Sequence, residues 1–222
     1  MKITEQTKKL LENYATINNG ILIQATKENT PTTLQTCDSH KMVMAQTVIS
    51  EKFGFDVCLY DLKQFLSVLS SLKDPEIEFN DNNVVIKDLD SSTIKLSYAD
   101  PMTVSHLTKT VTLPAPAVSF DLKQESLTKL LNFSNILGLV DLKLYSKEGK
   151  LFFQAFDKKG ATKNTFEVEV GVGGNAGDEF YFQRDLLKMI PGDYRVELSS
   201  KAAKFVSMAH ANLEYIVALA IK

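Results

Sequence analysis

The sequence predicts an α+β protein of two similar domains, each with two helices packed on antiparallel sheets. Three observations support this. Short alternating apolar runs, bounded by Asn, Gly and Pro, outnumber the helical stretches. Four segments carry apolar residues at three- and four-residue spacing instead. The order helix, strands, helix, strands occurs twice within 222 residues, so each half is long enough to own a core.

The first helix is predicted over residues 4–17, with Thr4 as its cap. Ile3, Thr7, Leu10, Leu11, Tyr14 and Ile17 share one face, and Glu5, Lys8, Lys9 and Glu12 the other. Asn19-Gly20 marks a turn. GILIQAT, TTLQTCD and MVMAQTVIS then read as strands. A second helix is predicted over 60–73, capped by Asp61, with Leu62, Phe65, Leu66, Leu69 and Leu72 as its stripe; Asp74-Pro75 ends it. Strands follow at about 76–79, 83–88 and 92–98, with a turn at Asp81-Asn82-Asn83.

Residues 99–120 hold three of the six prolines, and the domain boundary is placed there: a first domain 1–108, a linker 109–119 and a second domain 120–222. The third helix is predicted over 121–137, capped by Asp121. The strands VDLKLYS, LFFQAFD and NTFEVEVGV follow, then a Gly-rich turn at Gly171–Gly177. A fourth helix is predicted over 182–190, ending at Pro191-Gly192, and DYRVELS and NLEYIVALAI close the chain. The halves align: LLENYA at 10–15 recurs as LLNFS at 130–134, and FDVCLYDLKQFL at 55–66 recurs loosely as DEFYFQRDLLKM at 178–189.

A chain that is 44% hydrophobic and 23% charged can build an ordinary core. Its net charge of −2 argues against a protein that coats nucleic acid with its whole surface. Cys37 and Cys58 lie outside any CxxC and are read as buried thiols of a reducing compartment. The N-terminus lacks the apolar stretch of a secretory signal and no 18-residue apolar run exists, so the expected location is the cytoplasm.

Catalytic chemistry is not legible. His40, His106 and His210 fall in no metal-ligand spacing, and no GxSxG nucleophile elbow is present. Gly171–Gly177 loosely satisfies GxGxx(G/A). A dinucleotide site needs that loop to open a long helix after a parallel strand, and here a short strand follows, so a hairpin turn is the reading. No cofactor and no metal is expected, and the chain is read as no enzyme.

The wet faces of the helices carry the positive signal. They present Lys63, Gln64, Ser67 and Ser71; Thr128, Lys129, Asn132 and Asn135; and Arg184 with Lys188 at i and i+4. Lys8 and Lys9 stand beside Glu5 and Glu12. The four predicted helices carry charges of 0, +1, 0 and +1, leaving −4 for the remainder. Such a surface suits loose, sequence-independent attraction to phosphates, and it lacks the stacking aromatics of a single-strand binder.

Six segments carry a resemblance: LLENYATINNGI (10–21), CDSHKMVMAQTVISEKFGFD (37–56), FDVCLYDLKQFLSVLS (55–70), SSTIKLSYADPMTV (91–104), KMIPGDYRVELSSKAAKF (188–205) and HANLEYIVAL (210–219). In this order they resemble the sliding clamps of T-even-type tailed bacteriophages, and more distantly the eukaryotic proliferating cell nuclear antigen. The resemblance implies the DNA clamp fold and a homotrimeric ring around duplex DNA that tethers a replicative DNA polymerase, in the host cytoplasm if the chain is viral. An ATPase clamp loader would open the ring. Lys8, Lys9, Lys63, Lys129, Arg184 and Lys188 would face DNA. Strand 91–98, with Ile94 and Leu96, would pair across the subunit interface with strand 165–172, carrying Phe166 and Val168. Met42, Met44, Leu107, Val217 and Leu219 would line a partner pocket beneath the linker. The alternative left open is a duplicated protein-binding adaptor that encloses no DNA.

Overall fold

The computed structural model describes residues 1–27, 30–90, 92–106 and 111–221. The chain divides into two compact units, Met1–Lys109 and Thr110–Lys222. No helix among the described residues is long and apolar enough to cross a membrane.

The first unit begins with helix α1 (Glu5–Ile17). Thr4 is its N-cap, with its hydroxyl accepting from the Thr7 N–H, and Thr7, Leu10, Leu11, Tyr14, Ala15 and Ile17 are its buried face. Strands β1 (Ile21–Gln24), β2 (Thr33–Cys37), β3 (Val43–Val48) and β4 (Val57–Leu59) form an antiparallel sheet in the order β4-β1-β2-β3. Helix α2 (Leu62–Ser71) starts at Asp61, whose carboxylate accepts from the Gln64 N–H, and it packs beside α1. Strands β5 (Glu76–Asn80), β6 (Asn83–Lys87) and β7 (Thr93–Ser97) follow as a three-stranded meander.

The second unit repeats the plan but starts differently from the sequence expectation. Its first strand, β8 (Val118–Leu122), occupies the end of the expected linker and the start of the expected helix. Asp121 is therefore a strand residue, ion-paired with Arg195, and caps nothing. Helix α3 (Gln124–Ile136) starts later, and the Asp193 carboxylate, 69 residues on in sequence, takes the Gln124 N–H. Strands β9 (Asp141–Lys147), β10 (Lys150–Phe156), β11 (Phe166–Val172) and β12 (Glu179–Gln183) make a sheet in the order β11-β10-β9-β12. Strand β13 (Tyr194–Leu198) pairs with β8 and with β14 (Ala202–Ser207), and β14 pairs with β15 (Glu214–Ala218). The sequence reading missed β4, β8 and β14.

The internal duplication is legible in topology. Order β4-β1-β2-β3 in one unit is order β12-β9-β10-β11 in the other. Even β8 has a counterpart: Met1 and Ile77 exchange backbone hydrogen bonds ahead of α1, as β8 pairs with β13 ahead of α3.

The predicted fourth helix does not form. Strand β12 holds its pairing with β9 as far as Gln183, and a single 3-10 turn, Arg184–Leu186, follows. Pro191 then disfavours helical backbone at Ile190. Too few residues remain to repay helix nucleation. The Tyr215 hydroxyl instead accepts the Ile190 N–H at 3.4 Å, and the Tyr194 hydroxyl donates to the Ile190 carbonyl at 2.5 Å. The glycine loop also differs from expectation. It joins β11 to β12, which lie at opposite ends of their sheet, so it is a crossing connection and no hairpin; no helix opens from it.

A carboxylate distant in sequence closes the start of α1 as well. Glu51, only 8% exposed, accepts from the Thr4 N–H and the Thr7 hydroxyl, each at 2.8 Å, and from the Ser50 hydroxyl at 3.3 Å. Burial alone would raise its pKa; the donors from Thr4 and Thr7 outweigh it and hold the group below its ordinary value. A depressed carboxylate stabilises the fold above its unfolded pKa, and that stability fades as pH falls through the folded one. Glu51→Gln is expected to lower stability by about 1–3 kcal/mol at neutral pH. In urea titrations the gap from wild type should narrow below pH ~4; a gap that widens there would remove this role for Glu51.

Candidate functional site

The helices lie against their sheets through their apolar stripes, so their opposite faces are wet. On α1, Lys9 is exposed, while Lys8 is half-buried beside Leu11, Leu69 and Leu72 in a cleft it shares with Lys2 and Asp74. Lysine stems commonly cover apolar surface in this way and leave the ammonium wet. On α2, Lys63, Gln64, Ser67 and Ser70 are exposed. On α3, Thr128, Lys129, Asn132 and Asn135 are exposed, and Lys129 pairs with Glu125 one turn earlier at 2.6 Å. The charge is sparse. Exposed pairs of this kind are strongly screened and contribute little to stability.

Two of the six expected phosphate-facing cations lack the expected helix. Lys188 is exposed on the irregular segment after the 3-10 turn. Arg184 is not displayed: its side chain is 17% exposed, and its guanidinium donates to the carbonyls of Ser134 at 3.4 Å and Leu139 at 3.1 Å while pairing with Asp185. These carbonyls belong to the last turn of α3 and the loop after it, where unpaired acceptors and the negative end of the helix dipole gather. Its spacing from Lys188 suggested a shared helix face; the fold instead makes it a C-terminal cap.

The expected interface strands are both edges. Among the described residues β7 pairs only with β6, and β11 only with β10. Ile94 and Leu96 stand opposite Ile86 and Val84, both fully buried, so they point to the core side of their meander yet stay half-buried. Phe166 and Val168 do the same opposite Ala155 and Phe153. Phe133 of α3 is 44% exposed and stacks on Phe166 with centroids 4.6 Å apart; Ile136, 75% exposed, lies on the same helix. On the opposite side of these edges stand Lys95 on β7, and Glu167 and Glu169 on β11. Sequence reading did not single out Phe133 or Ile136, because apolar residues off the main stripe of a helix carry no distinct pattern.

The expected pocket residues are placed unevenly. Met44 is half-buried, and Met42 is held by a tight turn in which the Asp38 carboxylate accepts from the Met42 and Val43 N–H groups at 2.6 and 2.7 Å. Leu219 is half-buried. Val217 is fully buried on β15, a core position with no surface to offer. Leu107 lies outside the described residues.

Register places Met44 on a defined face. Leu22 stands opposite both Gln35 and Cys58, and Gln35 opposite Gln46. These four, and Met44 two residues from Gln46, share the sheet face away from α1. The segment Ala99–His106 crosses that face over β4 and β1. Ala99 donates to the Cys58 carbonyl at 3.0 Å, and Val104 packs on Leu22 and Cys58. Both thiols are enclosed. Burial, then the Asp100 carboxylate, pushes Cys58 up to about 11, and burial likewise raises Cys37. Neither is a poised nucleophile.

Comparison with known proteins gives consistent matches. The family model described as gp45 sliding clamp, C terminal, matches residues 119–221. The sliding clamp of Enterobacteria phage T4 is 34% identical over 229 residues, covering 99% of this chain and 96% of the relative. That of Escherichia phage RB69 is 31% identical with the same coverage. That of Vibrio phage KVP40 is 29% identical over 225 residues, 98% of each chain. Among solved structures, proliferating cellular nuclear antigen from Entamoeba histolytica superposes with a TM-score of 0.69 at 12% identity, over 97% of this chain and 95% of that one. A structure of the C-terminal region of FEN-1 bound to A. fulgidus PCNA gives 0.73 at 14% identity, over 98% and 96%.

The placement of Arg184 separates structure from ligand contact. Arg184→Ala is expected to destabilise the protein by about 1–2 kcal/mol in urea unfolding, since the Leu139 carbonyl loses the guanidinium and the Ser134 carbonyl keeps only the Leu139 N–H. Lys129→Ala should leave unfolding within about 0.5 kcal/mol of wild type. Equal stability of the two variants would remove the capping role.

Proposed function

The chain belongs to the bacteriophage sliding clamps, and from that premise we propose that it stays on duplex DNA by encirclement, three copies closing a ring. It serves replication as a clamp that tethers the DNA polymerase for processive synthesis. The observation that carries the mechanism is the pair of free edges, β7 and β11, each with a half-buried apolar row on its core side.

An edge strand is a template for pairing with another chain. If β7 of one copy adds to β11 of the next with core sides aligned, Ile94 and Leu96 meet Phe166 and Val168. Lys95 then falls on the same side as Glu167 and Glu169, which supports this alignment over its flipped alternative. Phe133 and Ile136 of α3 would be covered beside the seam. Two different edges make the contact head-to-tail, and such contacts close into rings when the rotation permits.

A ring held by topology needs little affinity. Lys8, Lys9, Lys63, Lys129 and Lys188 supply screened attraction to phosphate without the base contacts that would arrest sliding. Arg184 contributes indirectly, through the end of α3. An ATP-driven loader opens the ring, and the polymerase docks on the outer sheet face of the first unit, where Met44 stands. The structural neighbour that carries the FEN-1 C-terminal region supports a peptide as the docking element, and flexible methionine suits partners of varied shape. The adaptor alternative has no observation in its favour.

Sedimentation at micromolar concentration should give a mass of roughly three chains of 24.8 kDa. Ile94→Asp or Phe166→Asp should shift it toward one chain; a wild-type monomer under those conditions would overturn the ring. Loaded protein should remain on closed-circular DNA and run off once the DNA is linearised. Replacing Lys9, Lys63 and Lys129 together by Ala should lower loading several-fold at low salt, with a shallower dependence on salt. Loading that ignores both the charges and the salt would remove these lysines from the DNA face.

A further inference from the structure

The turn that follows α1 touches three elements. The Asn18 N–H bonds the Tyr14 carbonyl and closes the helix. The Asn19 carbonyl accepts from Leu62 N–H, at the start of α2, at 2.7 Å. The Asn18 carboxamide donates to the Ser105 carbonyl at 3.1 Å, reaching the Ala99–His106 segment. Gly20 completes the turn, and its conformation does not explain the glycine, for it has no positive φ. Space does. A Cβ at this position would lie 2.7 Å from Val104 Cγ1, 3.0 Å from Val104 Cγ2 and 3.2 Å from the Leu59 carbonyl. Something must move, and of these neighbours the Leu59 backbone is fixed in β4.

Val104 is 5% exposed and packs with Leu22 and Cys58 beneath the segment. Between its anchors the segment makes a tight turn. The Asp100 carboxylate accepts from the Met102 N–H at 2.8 Å, and the Thr103 hydroxyl donates to the Asp100 carbonyl at 2.7 Å. At its tip Met102 is 93% exposed. A methionine held out by an ordered turn is on the same sheet face as Met44, with Gln35 on β2 between the crossing segment and β3, which carries Gln46 and Met44 on that face.

We propose that Gly20 and Val104 are a positioning pair: the missing Cβ lets Val104 seat the Ala99–His106 strap on the outer sheet face, and the seated strap is one wall of the polymerase-docking surface. The docking half rests on the clamp reading above; the seating half does not. An added methyl at residue 20 lifts Val104, which uncovers Cys58 and withdraws the strap. The turn also joins the strap to the adjoining ends of α1 and α2, so the strap is set from the helix side of the sheet.

Cys58 supplies the readout. In a Cys37→Ala background, labelling of Cys58 by a maleimide reports strap opening, and extension of a primer on a circular template with the cognate polymerase and loader reports docking. Gly20→Ala is expected to speed labelling at least about tenfold, the effect of a modest shift in a local opening equilibrium. It should cut clamp-dependent product length several-fold. The pair G20A with V104A relieves the clash, so it should extend primers no worse than V104A alone, a non-additivity that general destabilisation would not produce.

Wild-type labelling in the Gly20→Ala protein, or additive loss in the double variant, overturns the positioning pair. Fast labelling with undiminished product length overturns the docking wall. A wild-type protein that never lengthens the product sinks the clamp reading itself, while the labelling arm still decides whether Gly20 seats the strap.

Discussion

In both units a helix lies across one face of an antiparallel sheet, and the two-residue alternation of the strands decides which side chains it covers. Register then carries that decision from strand to strand. On β3, Val43, Ala45 and Thr47 are buried, while Met44 and Gln46 turn the other way. On β10, Leu151, Phe153 and Ala155 are buried, while Phe152 and Gln154 turn away. A slip of one residue would invert every one of these assignments, so burial of one face fixes the other. The sheet face that carries Met44 and the wet sides of the helices follow from this one constraint.

The helix ends depend on it as well. Glu51 closes the start of α1, Asp193 the start of α3 and Arg184 its end, each from a segment far away in the chain. Helix ends leave orphan donors and acceptors that need charged or polar partners. Once the sheets bring such residues into place, local caps matter less. Lys123 can therefore sit at the N-cap of α3 without making a cap bond. Arg184, spent in this way, is lost to phosphate attraction, which leaves the helix surface only mildly cationic. In the proposed ring such weakness would be an advantage, since a strongly basic wall would hold the duplex in place.

What could be read in advance, and what could not, divides along the range of the interaction. Thr4 and Asp61 were legible because a cap acts three residues away. The stripe Leu62, Phe65, Leu66 and Leu69 was legible because helical period is a local property. The fourth helix misled because FQRDLLKMI has helical period, yet β12 claims its first two residues through pairing with β9 and Pro191 shuts its end. Arg184 misled with it: no spacing reveals that the carbonyls of Ser134 and Leu139 will lie against its guanidinium. Gly171–Gly177 showed a turn, while the sheet order decided that the turn crosses between outer strands.

Periodicity and contacts a few residues apart were enough for the class of fold, the duplication and two of the three helix starts, whereas the edge positions of residues 93–97 and 166–172 come from the sheet order. Only the tertiary structure shows that Arg184 is a cap, that Val217 is core, that α3 borrows its cap from Asp193 and that a Cβ at Gly20 would come within 2.7 Å of Val104. Those outcomes turn on which atoms come within about 3–4 Å after the sheets form. Separation along the chain, from Gly20 to Val104 or from Ser134 to Arg184, holds no record of that distance.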